Sequence, residues 1–100
     1  MEINVKERSN NSILLQFKGL DIGFLTLLVS ELVNDKRVLN AYSRKPHLLL
    51  DETELYVLCK DGFNPIEVIQ SKIEEIKERF SKLRKEVESS IDEKVTKAGS

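Results

Sequence analysis

The sequence predicts an α+β fold in the order strand, strand, helix, strand, strand, helix (ββαββα), with both helices on one face of a four-stranded sheet. Three observations carry this reading. Two short runs near the start alternate apolar and polar residues with the period of a strand. The run Ile22 to Val33 reads as a helix that is apolar on nearly every side. A stripe of apolar residues at helical spacing, over twenty residues long, follows Asn64-Pro65. Elements that are each apolar on one side bury it together when both helices share a face of an antiparallel or mixed sheet.

The first strand covers Glu2 to Lys6, with Ile3 and Val5 on one side and Asn4 and Lys6 on the other. After the polar turn Ser9-Asn10-Asn11-Ser12 the alternation resumes at Ile13, Leu15 and Phe17, which makes an opening hairpin. The first helix spans Ile22 to Val33, with Asp21 placed to accept from its unpaired first amides and Asn34-Asp35 ending it. A third strand runs from Val38 to about Lys45 and stops before Pro46, because the residue ahead of proline is pushed to extended geometry and proline cannot donate to a ladder. Leu48-Leu49-Leu50 leads into a loop at Asp51-Glu52. Leu55 to Cys59 is a fourth strand, apolar in both directions and suited to the middle of the sheet. Asn64-Pro65-Ile66-Glu67 then starts the second helix, with Asn at the cap, Pro at the first helical position and Glu placed to answer the cap.

Along that helix Ile66, Ile69, Ile73, Ile76, Phe80, Leu83 and Val87 recur at spacings of three and four, a stripe roughly 35 Å long at 1.5 Å per residue. A sheet of four strands is only about 15 Å across. The last turns therefore overhang it, and either they lie in solvent or something else supports Phe80, Leu83 and Val87. Residues 1–90 are expected to form one α+β domain and residues 91–100 a flexible polar tail.

One hundred residues support one domain with a limited core. Seventeen acidic residues against sixteen basic ones leave a net charge of about −1, without the basic stripe of a domain that grips many phosphates. The second helix is equally balanced, with eight basic and eight acidic residues between Ile66 and Lys97. No direct sequence-specific nucleic-acid binding is expected. The single cysteine, Cys59, cannot form an internal disulfide, and neither a signal peptide nor a run long enough to span a membrane is present. A cytoplasmic location follows.

Residue types that could carry chemistry do not assemble. His47 is the only histidine, and Cys59 stands alone in an apolar strand, where burial makes a thiol a small core hydrophobe. Asp51, Glu52 and Glu54 lack the alternating pattern and turning glycine of a calcium loop. No metal, cofactor or catalytic residue is expected.

The first helix carries more apolar surface than one sheet contact hides. On a 100° wheel Phe24, Leu27, Leu28 and Leu32 line a broad face toward the sheet, and Ile22, Leu25, Val29 and Val33 form a neighbouring stripe that turns away. Leaving four aliphatic side chains wet forfeits roughly 1.5–3 kcal/mol each. Either the second helix covers the stripe within the chain, or a partner does.

The chain resembles the small RNA polymerase subunit called L in archaea, whose eukaryotic relatives are the eleventh subunit of polymerase II and the small subunit shared by polymerases I and III. The likeness extends from Met1-Glu2-Ile3 to about Leu83. Gly19, Asp21 and Leu27-Leu28 keep the frame of the family's first-helix motif, which departs at Leu20, Ile22, Gly23 and Thr26. Val38 to Ala41-Tyr42 fits the family's "VxxAxY", Pro46-His47-Leu48 its "HPL" with the first two exchanged, Glu54-Leu55-Tyr56-Val57 its "ExLYV", and Asn64-Pro65-Ile66-Glu67 its "DPxEAL". The resemblance implies a fold like the dimerisation domain of the bacterial polymerase α subunit and a non-catalytic assembly role. It implies an obligate heterodimer with a D-like subunit, and a platform that recruits the large catalytic subunits, which hold the nucleotidyltransferase site. By position it implies dimer contacts at Phe24, Leu25, Leu28, Val29 and Leu32, and a four-helix junction supported by Ile73, Ile76, Phe80 and Leu83. A homodimeric adaptor outside the polymerase shares the same surplus of apolar surface, and even as a polymerase subunit the chain is expected to be able to self-associate when isolated. A small enzyme built on Asp51, Glu52, Glu54 and His47 is the rival of a different class.

Overall fold

In the computed structural model, residues 2–46 and 50–98 are described. The elements are β1 (Glu2–Arg8), β2 (Ser12–Lys18), α1 (Ile22–Val33), β3 (Val38–Arg44), β4 (Glu52–Cys59) and α2 (Pro65–Ala98). The strands form one antiparallel sheet in the order β1-β2-β4-β3. The expected central position of the strand that is apolar in both directions is therefore found: β4 lies between β2 and β3, with Leu55, Val57 and Cys59 fully buried.

Local chemistry explains the boundaries. Ser9 and Ser12 close the opening hairpin through their hydroxyls, 2.6 Å apart, and the Ser9 amide donates to the Ser12 carbonyl. The Asp21 carboxylate accepts from the Gly23 amide at 2.8 Å, and the Asn64 side-chain oxygen accepts from the Ile66 amide at 2.9 Å, so both expected caps are made. Glu67 makes no return bond to Asn64 among the described residues; its charge in the first turn complements the helix dipole instead.

The core lies between the sheet and the helices. Ile13 and Phe17 of β2, Leu55 and Val57 of β4, and Val38 and Ala41 of β3 face Leu25, Leu28 and Leu32 of α1 and Val68, Ile69 and Ile76 of α2. α1 packs chiefly on β3, and α2 lies against β2, β4 and α1. That placement leaves β1, an edge strand, outside the main helix contacts.

One expectation needs correction. Leu25 does not belong to an outward stripe. It is 2% exposed and forms with Leu28 and Leu32 the inward line of α1, while Phe24 and Leu27 are half-buried beside it. A wheel fixes the angles between residues but not which angle faces the sheet, and α1 has a single charge, Glu31, to mark its outside. α2 continues to Ala98 through Glu, Lys and Ser residues that tolerate a helix. His47, Leu48 and Leu49, and with them the centre of the Pro46-His47-Leu48 motif, lie outside the described residues.

Candidate protein interface

β1 and β2 alternate so that Ile3 and Val5 stand beside Phe17 and Leu15 on the helix-bearing face of the sheet. Neither helix reaches over β1, so this part of the face forms an open groove of about 370 Å³. Its floor is Ile3, Val5, Ile13, Leu15 and Phe17, its walls are Phe24 and Leu28 of α1 and Ile66, Ile69 and Ile73 of α2, and Gln70 is the one polar side chain on it. Ile3 and Val5 remain 53% and 54% exposed. Other apolar side chains are exposed elsewhere on the helices. Ile22 and Val33 are exposed on the outer side of α1, and Phe80, Leu83, Val87 and Ile91 are exposed along the part of α2 that overhangs the sheet. Apolar side chains left uncovered in a groove are a feature of interaction surfaces.

Ion pairs join α1 and the turn after it to α2. The Asp35 carboxylate, just after α1, accepts from Arg37 at 2.8 Å and sits 3.1 Å from the Lys72 ammonium of α2, with the Asp35 and Lys72 side chains only 7% and 13% exposed. The Arg37 guanidinium, followed by Lys72, holds Asp35 far below the usual carboxylate range against the opposing effect of burial. Burial pulls Lys72 downward, but hydrogen bonds to Asp35 and Glu75 outweigh it and its ammonium lies above the ordinary lysine value. Farther along, Glu31 of α1 pairs with Arg79 of α2 at 3.0 Å.

Sequence-expected contact residues divide into three groups. Leu25, Leu28, Leu32 and Ile76 are 0–2% exposed in the chain's own core, so they shape the surface from beneath and offer no area to a partner. Phe24, Val29 and Ile73 are half-buried at its boundary. Phe80 and Leu83 are exposed on the overhang. Sequence reasoning missed Ile3 and Val5. Their alternation was visible, but an uncovered inner face on β1 follows from the strand order, which no local pattern encodes.

The residues weighed for chemistry have structural roles. Cys59 is fully buried, and burial pushes its thiol above the ordinary value. Glu54 lies on the helix-free face of the sheet beneath Arg44 and Lys6; its hydrogen bond with Arg44 outweighs burial and holds its carboxyl below the usual range. Glu52 accepts from Gln16 at 3.1 Å and pairs with Lys18. No helix among the described residues is long and apolar enough to cross a membrane.

Comparison with known proteins agrees with this geometry. The family model for the RNA polymerase Rpb3/Rpb11 dimerisation domain matches residues 12–86. The DNA-directed RNA polymerase subunit Rpo11 of Korarchaeum cryptofilum is 35% identical over 80 residues, covering 80% of this chain and 82% of that protein. Its counterpart in Methanosarcina barkeri is 30% identical over 76 residues, covering 76% and 82%. The crystal structure of DNA-directed RNA polymerase subunit L from Thermoplasma acidophilum has the same fold, with a TM-score of 0.78, 24% identity, and coverage of 89% of this chain and 87% of that one. With a β1-β2-β4-β3 sheet, two helices on one face and an apolar surface open beside them, the chain belongs to the RNA polymerase Rpb3/Rpb11 dimerisation-domain family, on the side of its archaeal L/Rpo11 members.

Proposed function

We propose that this chain is a non-catalytic assembly subunit of a DNA-directed RNA polymerase. It pairs with a D-like, α-type subunit, and the pair forms the platform that recruits the large catalytic subunits in the cytoplasm. The observation that carries the reading is the groove between β1 and the two helices, together with the apolar side chains exposed along the overhang of α2. In this reading Phe24, Val29, Ile73, Phe80 and Leu83 contact the partner together with Ile3 and Val5, and Leu25, Leu28, Leu32 and Ile76 hold the contact surface in shape. The nucleotidyltransferase chemistry belongs to the large subunits.

Light scattering of the chain co-purified with the D-like subunit of the same organism tests this. A 1:1 complex is expected. A stable self-dimer indifferent to the D-like subunit would overturn the polymerase reading in favour of a homodimeric adaptor.

A further inference from the structure

β3 is the second edge of the sheet, three strand spacings from β1 and so about 15 Å from the side that holds the groove. α1 packs over its inner face, but its outer backbone is bare. Alternate residues of an edge strand turn an amide and a carbonyl outward, and among the described residues no backbone hydrogen bond from outside the sheet reaches Asn40 to Arg44. The ladder with β4 is regular over those residues, after an irregularity at Leu39. From Lys36 to Lys45 there are four basic residues, two at each end, and no acidic one, and Val38 to Ser43 between them are uncharged. The carboxylates that meet this basic group are each shared by two cations, Asp35 by Arg37 and Lys72 and Glu54 by Arg44 and Lys6, so a positive surplus remains. In the uncharged middle Leu39 and Tyr42 are 60% and 44% exposed, with the Tyr42 ring 5.1 Å from that of Tyr56. The other edge, β1, carries both signs instead, at Glu2, Lys6, Glu7 and Arg8.

We propose that the outer edge of β3 takes an extended segment of one of the large catalytic subunits, added as a fifth strand, with acidic residues at its ends and uncharged ones in its middle. This rests on the platform reading above and adds which surface the second partner uses. Strand addition draws affinity from the outward amides and carbonyls and specificity from the side chains beside the new strand. Tyr42 offers the incoming strand an apolar neighbour, and the basic ends select its charge. The same placement of charge turns away a second copy. Two β3 edges paired antiparallel set Lys36-Arg37 against Arg44-Lys45, and paired parallel they set each basic end against its equivalent, and like charges across a strand pair are destabilising. Edge charges guard a sheet against pairing with itself; confined to the ends, they leave the middle open to a strand of opposite sign. Because the groove and β3 lie at opposite edges of the sheet, one chain holds the D-like subunit on one side and a large subunit on the other.

The test is capture of the purified large catalytic subunits of the same organism by the preformed pair of this chain with the D-like subunit, at low and high salt, for the wild type and for Lys36→Glu with Lys45→Glu. Arg37 and Arg44 stay in place because they pair with Asp35 and Glu54. The double reversal is expected to keep its circular dichroism and its affinity for the D-like subunit, to capture the large subunits at least about tenfold more weakly at low salt, and to approach the wild type at high salt. In the wild type, amide hydrogen exchange over Asn40 to Arg44 is expected to slow when the large subunits join and not when the D-like subunit alone does. Capture by the double reversal within about threefold of the wild type, or exchange in β3 that the large subunits leave unchanged, refutes the strand addition. A double reversal that loses the D-like subunit puts β3 in the first interface and overturns the proposal as well. If the wild-type pair does not form, or forms and captures no large subunit, the platform reading fails and takes this proposal with it.

Discussion

Replacing Phe80 with alanine isolates the contribution of the overhang. Phe80 is 51% exposed in the chain and lies beyond the last buried residue of α2, so its truncation leaves the core intact. A phenylalanine presents about 200 Å² of side chain, so roughly 100 Å² is available to a partner. At about 25 cal/mol per Å² its burial is worth roughly 2.5 kcal/mol. The alanine methyl keeps a small part, which leaves a loss of about 2 kcal/mol, or roughly 30-fold in affinity. Helix propensity works in the other direction, since alanine is the better helix former by about 0.5 kcal/mol, so the isolated chain should melt at the same temperature or slightly higher. The assay pairs calorimetric affinity for the D-like subunit with thermal unfolding of the chain alone. Affinity within about threefold of the wild type would refute the argument that this surface is covered in the complex. A large drop in the melting temperature would instead show that Phe80 serves the chain's own core.

Val5→Asp places a charge on the groove floor at a site that is 54% exposed. It should abolish partner binding in a pull-down while the isolated chain keeps its circular dichroism spectrum. Cys59→Ala should cost about 1–2 kcal/mol in denaturant unfolding, from the small cavity it leaves, with pairing and polymerase assembly unchanged. Asp35→Asn removes the charge between Arg37 and Lys72 and should destabilise the chain by about 2 kcal/mol at neutral pH. The folded-state pKa of Asp35 is depressed, so its contribution is fully present above the unfolded value of about 3.9 and is lost progressively as pH falls below it. Urea unfolding at pH 7 and near pH 3 checks this, with the gap between variant and wild type narrowing in acid.

How much was legible in the sequence depended on whether a residue's role is local. Asp21 before Ile22, and Asn64-Pro65 before Ile66, announce helix starts because a cap is made within three residues, and both helices begin there. The two-sided apolarity of Leu55 to Cys59 placed β4 in the interior of the sheet, because only a central strand buries both faces of neighbours and core. The facing of α1 was not legible. Ile22, Leu25 and Val29 are equally apolar, and only packing on β3 decides that Leu25 points inward while Ile22 stays exposed. For the same reason Leu28, which reads as a natural interface probe, is 2% exposed; an aspartate there would unfold the chain before it tested any partner. The groove was the least legible feature, since it exists because β1 pairs with β2 on the side away from β4.

The groove draws its floor from Ile3 and its far wall from Ile73, and that separation orders events in time. During synthesis, β1 and β2 can form their hairpin early, because their contacts are local and loop closure is inexpensive. The groove does not yet exist at that stage. It forms only after β4 has paired with β2 and the first turns of α2 have closed over the sheet, so the groove is absent from a nascent chain until its own core is complete. The groove is therefore a property of the completed fold and of no part of it.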